Sequence, residues 1–224
     1  MPQSYQRTPT VWVHNGSMHI LVTGFEPFGN DEFNASQEAV SSLPRQLGEH
    51  QVLTAMLPVS FAASGKALES LLAKHQPDAL ICVGEAGGRN AITPERWAFN
   101  EDDARIPDND GAQPRSAAIK ANAPGRLDAT LDPAAAVRAL LAAGYEARVS
   151  EDAGRFVCNH IAYLAYSQPV PALFIHVPAL RPPGVQATVG AETDASASQP
   201  RPGDLSQLSS ALGIAILGSL APGG

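Results

Sequence analysis

A chain of 224 residues with 44% hydrophobic and 17% charged side chains is long enough for one well-buried domain and does not demand two. Its net charge of -7 and pI near 5.3 exclude a nucleic-acid backbone or an anionic membrane as the main partner. The two cysteines, Cys82 and Cys158, make neither a disulfide framework nor a metal-ligand spacing with histidine, so no metal or cofactor is expected.

Residues 1–17 are polar and lack the apolar stretch of a secretory signal. They read as a disordered extension, or as the product of a start placed upstream of Met18. No apolar run approaches the roughly 18 residues of a membrane span. Together with the cysteine usage, this predicts a cytoplasmic protein.

The first convincing strand is His19–Thr23, and it feeds a tight loop, Gly24-Phe25-Glu26-Pro27-Phe28-Gly29. Two aromatics there either plug the core or fold over a ligand, because ligands in open α/β sheets bind beyond the carboxyl ends of the strands. Ser36 is the expected cap of a helix reaching Leu43, which Pro44 interrupts. Val52–Leu57 reads as a second strand. Ser60 then caps a helix with Leu68, Leu71 and Leu72 inward and Lys74 and His75 in its last turn.

Ala79–Val83 has no alternation and reads as a strand buried on both faces, with Cys82 a core residue. The glycine-rich stretch after it, Gly84 to Arg89, lacks the spacing of a nucleotide-binding loop. Trp97 and Phe99 alternate with polar neighbours, which predicts a strand with Glu95 at its start. That carboxylate is surface decoration unless a histidine needs a partner. Residues 111–128 read as loop.

Asp132, Pro133 and Gly144 mark a helix start and stop, and Tyr145–Val149 is expected to return as a strand. The segment Ala153 to Tyr163 then runs from a loop into a helix, with Cys158 in the first turn and Ile161, Leu164 and Ala165 inward. A thiol there meets unpaired backbone N–H groups and the positive end of the helix dipole, which favour the reactive thiolate. The alternative is a small buried hydrophobe. Ala172–Pro178 is the last strong strand. His176 within it is either a hydrogen-bonded structural histidine or, at the carboxyl end of the sheet, a partner for Cys158. Residues 186–203 have little to bury and read as a flexible loop. Asp204 and Gln207 open a helix over 204–219, which Gly213 and Gly218 weaken.

The alternating strands and helices predict a single α/β domain, residues 18–224, with a three-layer α/β/α arrangement. Four blocks sharpen this: Gly24 to Gly29; Gly87-Gly88-Arg89 with Glu95-Arg96 and Asp103 to Asn109; Ala153 to His160; and Phe174 to Pro178. In order and spacing, across about residues 19 to 178, they resemble the pyroglutamyl peptidase I (pyrrolidone-carboxylate peptidase) family.

The resemblance implies a mixed-sheet α/β/α sandwich assembled as a homotetramer. It also implies a cysteine exopeptidase that removes N-terminal pyroglutamyl residues from peptides through a thioacyl-enzyme. Carried over by residue, Cys158 is the nucleophile, His176 the general base and Glu95 the group that orients it. Phe25, Phe28 and Phe156 would pack on the faces of the lactam ring. Arg105 would stabilise an anion or position a loop. Glu85 stands near the substrate site where many bacterial relatives carry glutamine, and the chain beyond Pro178 departs from the family pattern. A similar sandwich serves purine nucleoside phosphorylases, so a nucleoside or phosphate binder is the competing class. The Cys158–His176–Glu95 set, which phosphorolysis does not need, discriminates the two.

Overall fold

The computed structural model describes residues 16–181, 201–202 and 204–221. The chain runs β1 (His19–Phe25), α1 (Ala35–Ser41), β2 (Gln46–Leu47), β3 (His50–Leu57), α2 (Phe61–His75), β4 (Ala79–Ala86), β5 (Thr93–Pro94) and β6 (Trp97–Phe99). It continues with β7 (Arg126–Asp128), α3 (Pro133–Ala142), α4 (Val157–Tyr166), β8 (Ala172–Pro178), β9 (Leu180–Arg181), β10 (Arg201–Pro202) and α5 (Leu205–Leu220).

Six strands form one mixed sheet in the order β2-β3-β1-β4-β8-β5, with β3, β1, β4 and β8 parallel and antiparallel strands at both edges. The central parallel strands β1, β4 and β8 are almost wholly buried because helices cover both faces, whereas β3 carries His50, Gln51 and Thr54 and is partly exposed. Alternate residues divide cleanly between them. Ile20, Val22, Ile81, Val83, Leu173, Ile175 and Val177 pack towards α1, α3 and α5. Leu21, Leu80, Cys82 and Phe174 pack towards α2 and α4. Each fully buried Leu, Ile or Phe in these layers contributes about 1.5–3 kcal/mol. The result is the single-domain three-layer sandwich that the alternation of elements predicts.

Helix starts follow local chemistry. Ser60 Oγ accepts from Ala63 N at the head of α2, and Asp132 accepts from Ala134 N at the head of α3, each cap contributing about 1 kcal/mol. The cap of α1 is Asn34 rather than Ser36. Asn34 Oδ1 accepts from Ser36 N, while the Ser36 hydroxyl accepts from Phe25 N and so ties the helix to the end of β1.

Tyr145–Val149 does not become a strand. It runs beside Ile92–Arg96 with bonds from Ile92 N to Glu146 O, Arg148 N to Ile92 O, Ser150 N to Pro94 O and Arg96 N to Ser150 O. Pro94 has no N–H for the Arg148 carbonyl, so the ladder breaks into two isolated bridges. Within 111–128, residues 126–128 pair with β6 as β7.

At the far end, α5 begins at Leu205 behind its cap Asp204. Gly218 there sits where a Cβ would lie 2.6 Å from Ala139 Cβ and 3.1 Å from Ala135 O, so it lets α5 lie directly on α3. Residues 1–15 and most of 186–203 lie outside the described residues, although 201–202 pair with β9.

Gly218→Ala gains up to about 1 kcal/mol in helix propensity but overpacks the α3 contact by about 1–3 kcal/mol. A Tm several degrees below wild type is expected from a thermal melt. A raised Tm would show that the two helices can separate freely.

Candidate active site

The parallel strands end on one edge, and the loops that follow them gather the residues singled out above. In the β4–β8 register Gly84 is the Cα partner of His176, and both lie on the α2/α4 face with Cys82 and Phe174. On the other side of β8, Thr93 of β5 is also the register partner of His176. Glu95 follows β5, its amide donating to Phe174 O at 2.8 Å. This crossing brings the carboxylate to the histidine: His176 Nδ1 and Glu95 Oε1 are 2.7 Å apart, and neither side chain has exposed surface.

Burial alone would push the Glu95 carboxyl up. The hydrogen bond and charge of His176, with the Arg89 guanidinium and Ser150, outweigh it and hold the group below its ordinary value. An ionised carboxylate only accepts, so Nδ1 carries the proton in this contact.

Cys158 is the second residue of α4, whose N-cap, Phe156, makes no side-chain capping bond. The sulfur stands over Gly84, where a Cβ would lie 2.8 Å from Sγ and 2.8 Å from Phe174 Cζ. Only glycine lets the thiol come this close to the strand, directly beside the strand position of His176. Asn159 holds the helix start in place. Its amide donates to Phe99 O and Glu101 O and accepts from Phe99 N, each at 2.9 Å.

Cys82 is a core residue of β4, and burial pushes its thiol up to about 12, with Thr23 opposing. Cys158 is only partly buried.

The aromatics form a cluster around the head of α4. Phe156 meets Phe28 edge-on at 5.6 Å and Phe61 at 5.2 Å. Phe28 is half-buried on its loop, which Asn109 fastens by accepting from Gly29 N and donating to Pro27 O. Phe25 lies in the core at 3% exposure, the core-filling alternative for that side chain. Glu85 Oε2 accepts from Ala35 N at 2.6 Å, a carboxylate at the start of α1. Arg105 is exposed on the loop after β6, and its carbonyl accepts from Gln113.

Two further residues belong to this site although the sequence reading assigns them no role. Arg89 donates to Glu95 Oε1. The fully buried Tyr166 donates to Glu95 O (2.9 Å) and accepts from Phe174 N (3.0 Å). An arginine just past a glycine-rich strand end, six residues before a glutamate, is the one sequence signal for the first. Among the described residues no cluster of His, Cys, Asp and Glu could hold a metal, and no helix is long and apolar enough to cross a membrane.

The thiol environments predict that iodoacetamide modifies Cys158 in native protein while Cys82 stays unlabelled until unfolding. Peptide mapping by mass spectrometry reads this, and equal labelling of both would remove the distinction.

The profile of the pyroglutamyl peptidase family matches residues 18–199. A pyrrolidone-carboxylate peptidase of Streptococcus pyogenes serotype M5 is 43% identical over 167 residues, covering 72% of this chain and 78% of that one. The crystal structure of pyroglutamyl peptidase I from Bacillus amyloliquefaciens superposes with a TM-score of 0.80 at 36% identity, covering 92% of this chain and 96% of that one. The pyrrolidone carboxyl peptidase from Thermococcus litoralis gives 0.79 at 34% identity, over 91% and 93%. On its fold and on the match over most of its length, the chain belongs to the pyroglutamyl peptidase family.

Proposed function

We propose that this protein is a cysteine exopeptidase that removes N-terminal pyroglutamyl residues from peptides through Cys158, His176 and Glu95. The observation that carries the reading is the buried His176–Glu95 contact at 2.7 Å, set beside the glycine that seats the Cys158 sulfur. Phosphorolysis has no use for such a set, which weighs against the nucleoside-binding alternative.

In the reaction, Cys158 Sγ attacks the pyroglutamyl carbonyl carbon and His176 Nε2 takes the thiol proton. The oxyanion that forms lies at the uncapped start of α4, where amides and the helix dipole favour negative charge. Collapse expels the peptide amine, which takes its proton from His176, and leaves a pyroglutamyl thioester on Cys158. Water, deprotonated by His176, then attacks the thioester and releases pyroglutamate and the thiol. Glu95 keeps the proton on Nδ1 and balances the imidazolium in each half-reaction.

Phe28 and Phe156 offer apolar faces beside Cys158 for a flat lactam, with Phe25 behind them in the core. Glu85 and Arg105 complete the proposed substrate-binding set. A ring without charge suits these surroundings, and a free N-terminal ammonium does not. A cytoplasmic location is supported by two free cysteines, one sealed in the core and the other over Gly84. Assembly as a homotetramer rests on the family resemblance.

The test is kcat and KM on pyroglutamyl-p-nitroanilide, with prolyl-p-nitroanilide as control. Cys158→Ala should have no activity in a folded protein. Glu95→Gln should lose about 10- to 10³-fold, mainly in kcat, less than a serine triad because a thiolate needs less help. Glu85→Gln should keep most turnover, since a glutamine oxygen can still accept from Ala35 N, and should act on KM. The reverse ranking of the two glutamates would reassign the carboxylate partner of His176.

A further inference from the structure

Arg89 lies in the loop after β4, and its guanidinium bridges two segments of the site, Thr93 to Glu95 and the loop at Asp152. Nη1 donates to Glu95 Oε1 and to Thr93 Oγ1 (2.6 Å), and Nη2 donates to the Asp152 carbonyl (2.7 Å). Glu95 Oε1 thus receives two donors, one from His176 and one from Arg89. Thr93 is the strand neighbour of His176, and Asp152 opens the loop that leads into Cys158. The arginine side chain is 18% exposed and its carboxylate partner 0%. A planar fork with five donors can serve these acceptors at once, which a lysine ammonium on a flexible stem cannot.

We propose that Arg89 is a positioning residue for the peptidase reaction: its fork fixes the Glu95 carboxylate against His176 and ties that pair to the loop carrying Cys158. The inference rests on the peptidase reading above. When His176 takes the thiol proton, a single carboxylate faces two cations, and Arg89 ensures that it is ionised beforehand. The groups facing Glu95 are His176 from β8, Arg89 from the β4 loop, Ser150 from the strand-like segment beside it, and the Tyr166 hydroxyl from α4 at its carbonyl. Without Arg89, one of the influences opposing burial at Glu95 is lost, so the carboxylate takes up a proton at higher pH.

Two variants separate charge from geometry. Arg89→Met should lower kcat by about 10- to 100-fold, as loss of an orienting outer partner does at other sites, with KM within about threefold of wild type. Its acid limb of kcat/KM should move to higher pH. Arg89→Lys, which keeps the charge and loses the fork, should leave the limb in place and give an intermediate kcat. Wild-type kcat and an unmoved limb in Arg89→Met would overturn the proposal.

A second readout does not need turnover. Glu95 is held below its unfolded value of about 4.3, so its pairing stabilises the fold above that pH and ceases to do so as pH falls through the lowered folded value. The Tm deficit of Arg89→Met should therefore be full at neutral pH and shrink in acid. A deficit that is constant with pH would reduce Arg89 to packing. If wild-type protein releases no nitroaniline, the peptidase reading falls, and the Tm series still decides whether Arg89 holds Glu95.

Discussion

A carboxylate with no exposed surface is the constraint around which this site is built. Taking Glu95 out of water costs several kcal/mol unless its charge is met, and here one oxygen is met twice, by His176 and by Arg89. Meeting it requires β5 to run antiparallel to β8, so that the chain turns away just where the Glu95 side chain faces the imidazole. Tyr166 secures that turn from α4: its hydroxyl joins the Glu95 carbonyl to the Phe174 amide, two residues before His176. Because Tyr166 and Cys158 belong to one helix, His176, Glu95 and the Cys158 thiol share a single rigid frame.

The thiol depends on an absence. With any side chain at position 84 the sulfur would have to leave the strand, since a Cβ there would already lie 2.8 Å from it. The same glycine makes room for the Phe174 ring, which lies 4.9 Å from the His176 ring. Asn159, next to the cysteine, spends its amide on backbone groups of the 99–101 segment rather than on its own helix. Cys158 and His176 are therefore positioned by close packing and main-chain bonds, which resist small displacements better than exposed side-chain contacts do.

Much of this arrangement is legible in the amino-acid sequence. Apolar runs such as Ala79–Val83 and Ala172–Pro178 declare strands covered on both sides, and Ser60 and Asp132 declare helix starts, because these are local effects of side chain on backbone. Cys158 in a first turn is a chemical signal in its own right. Local rules fail where a distant partner decides. Tyr145–Val149 has the composition of a strand, but its neighbour carries Pro94 at the position that should donate. Ser36 looks like a cap, yet the preceding Asn34 takes that role and frees the hydroxyl for β1. Tyr166 acts on a residue that only the tertiary fold brings near, and no spacing rule reaches the 71 positions between it and Glu95.

The covalent intermediate tests the central claim most directly. Native protein turning over a pyroglutamyl ester, quenched in acid within the first turnover and digested, can be searched for acylated peptides by mass spectrometry. A pyroglutamyl group on the peptide that carries Cys158, absent from the peptide that carries Cys82 and absent in Cys158→Ser, is the predicted result. Hydrolysis that proceeds with no acyl group on Cys158, or with the group on another side chain, would contradict the assignment of the nucleophile.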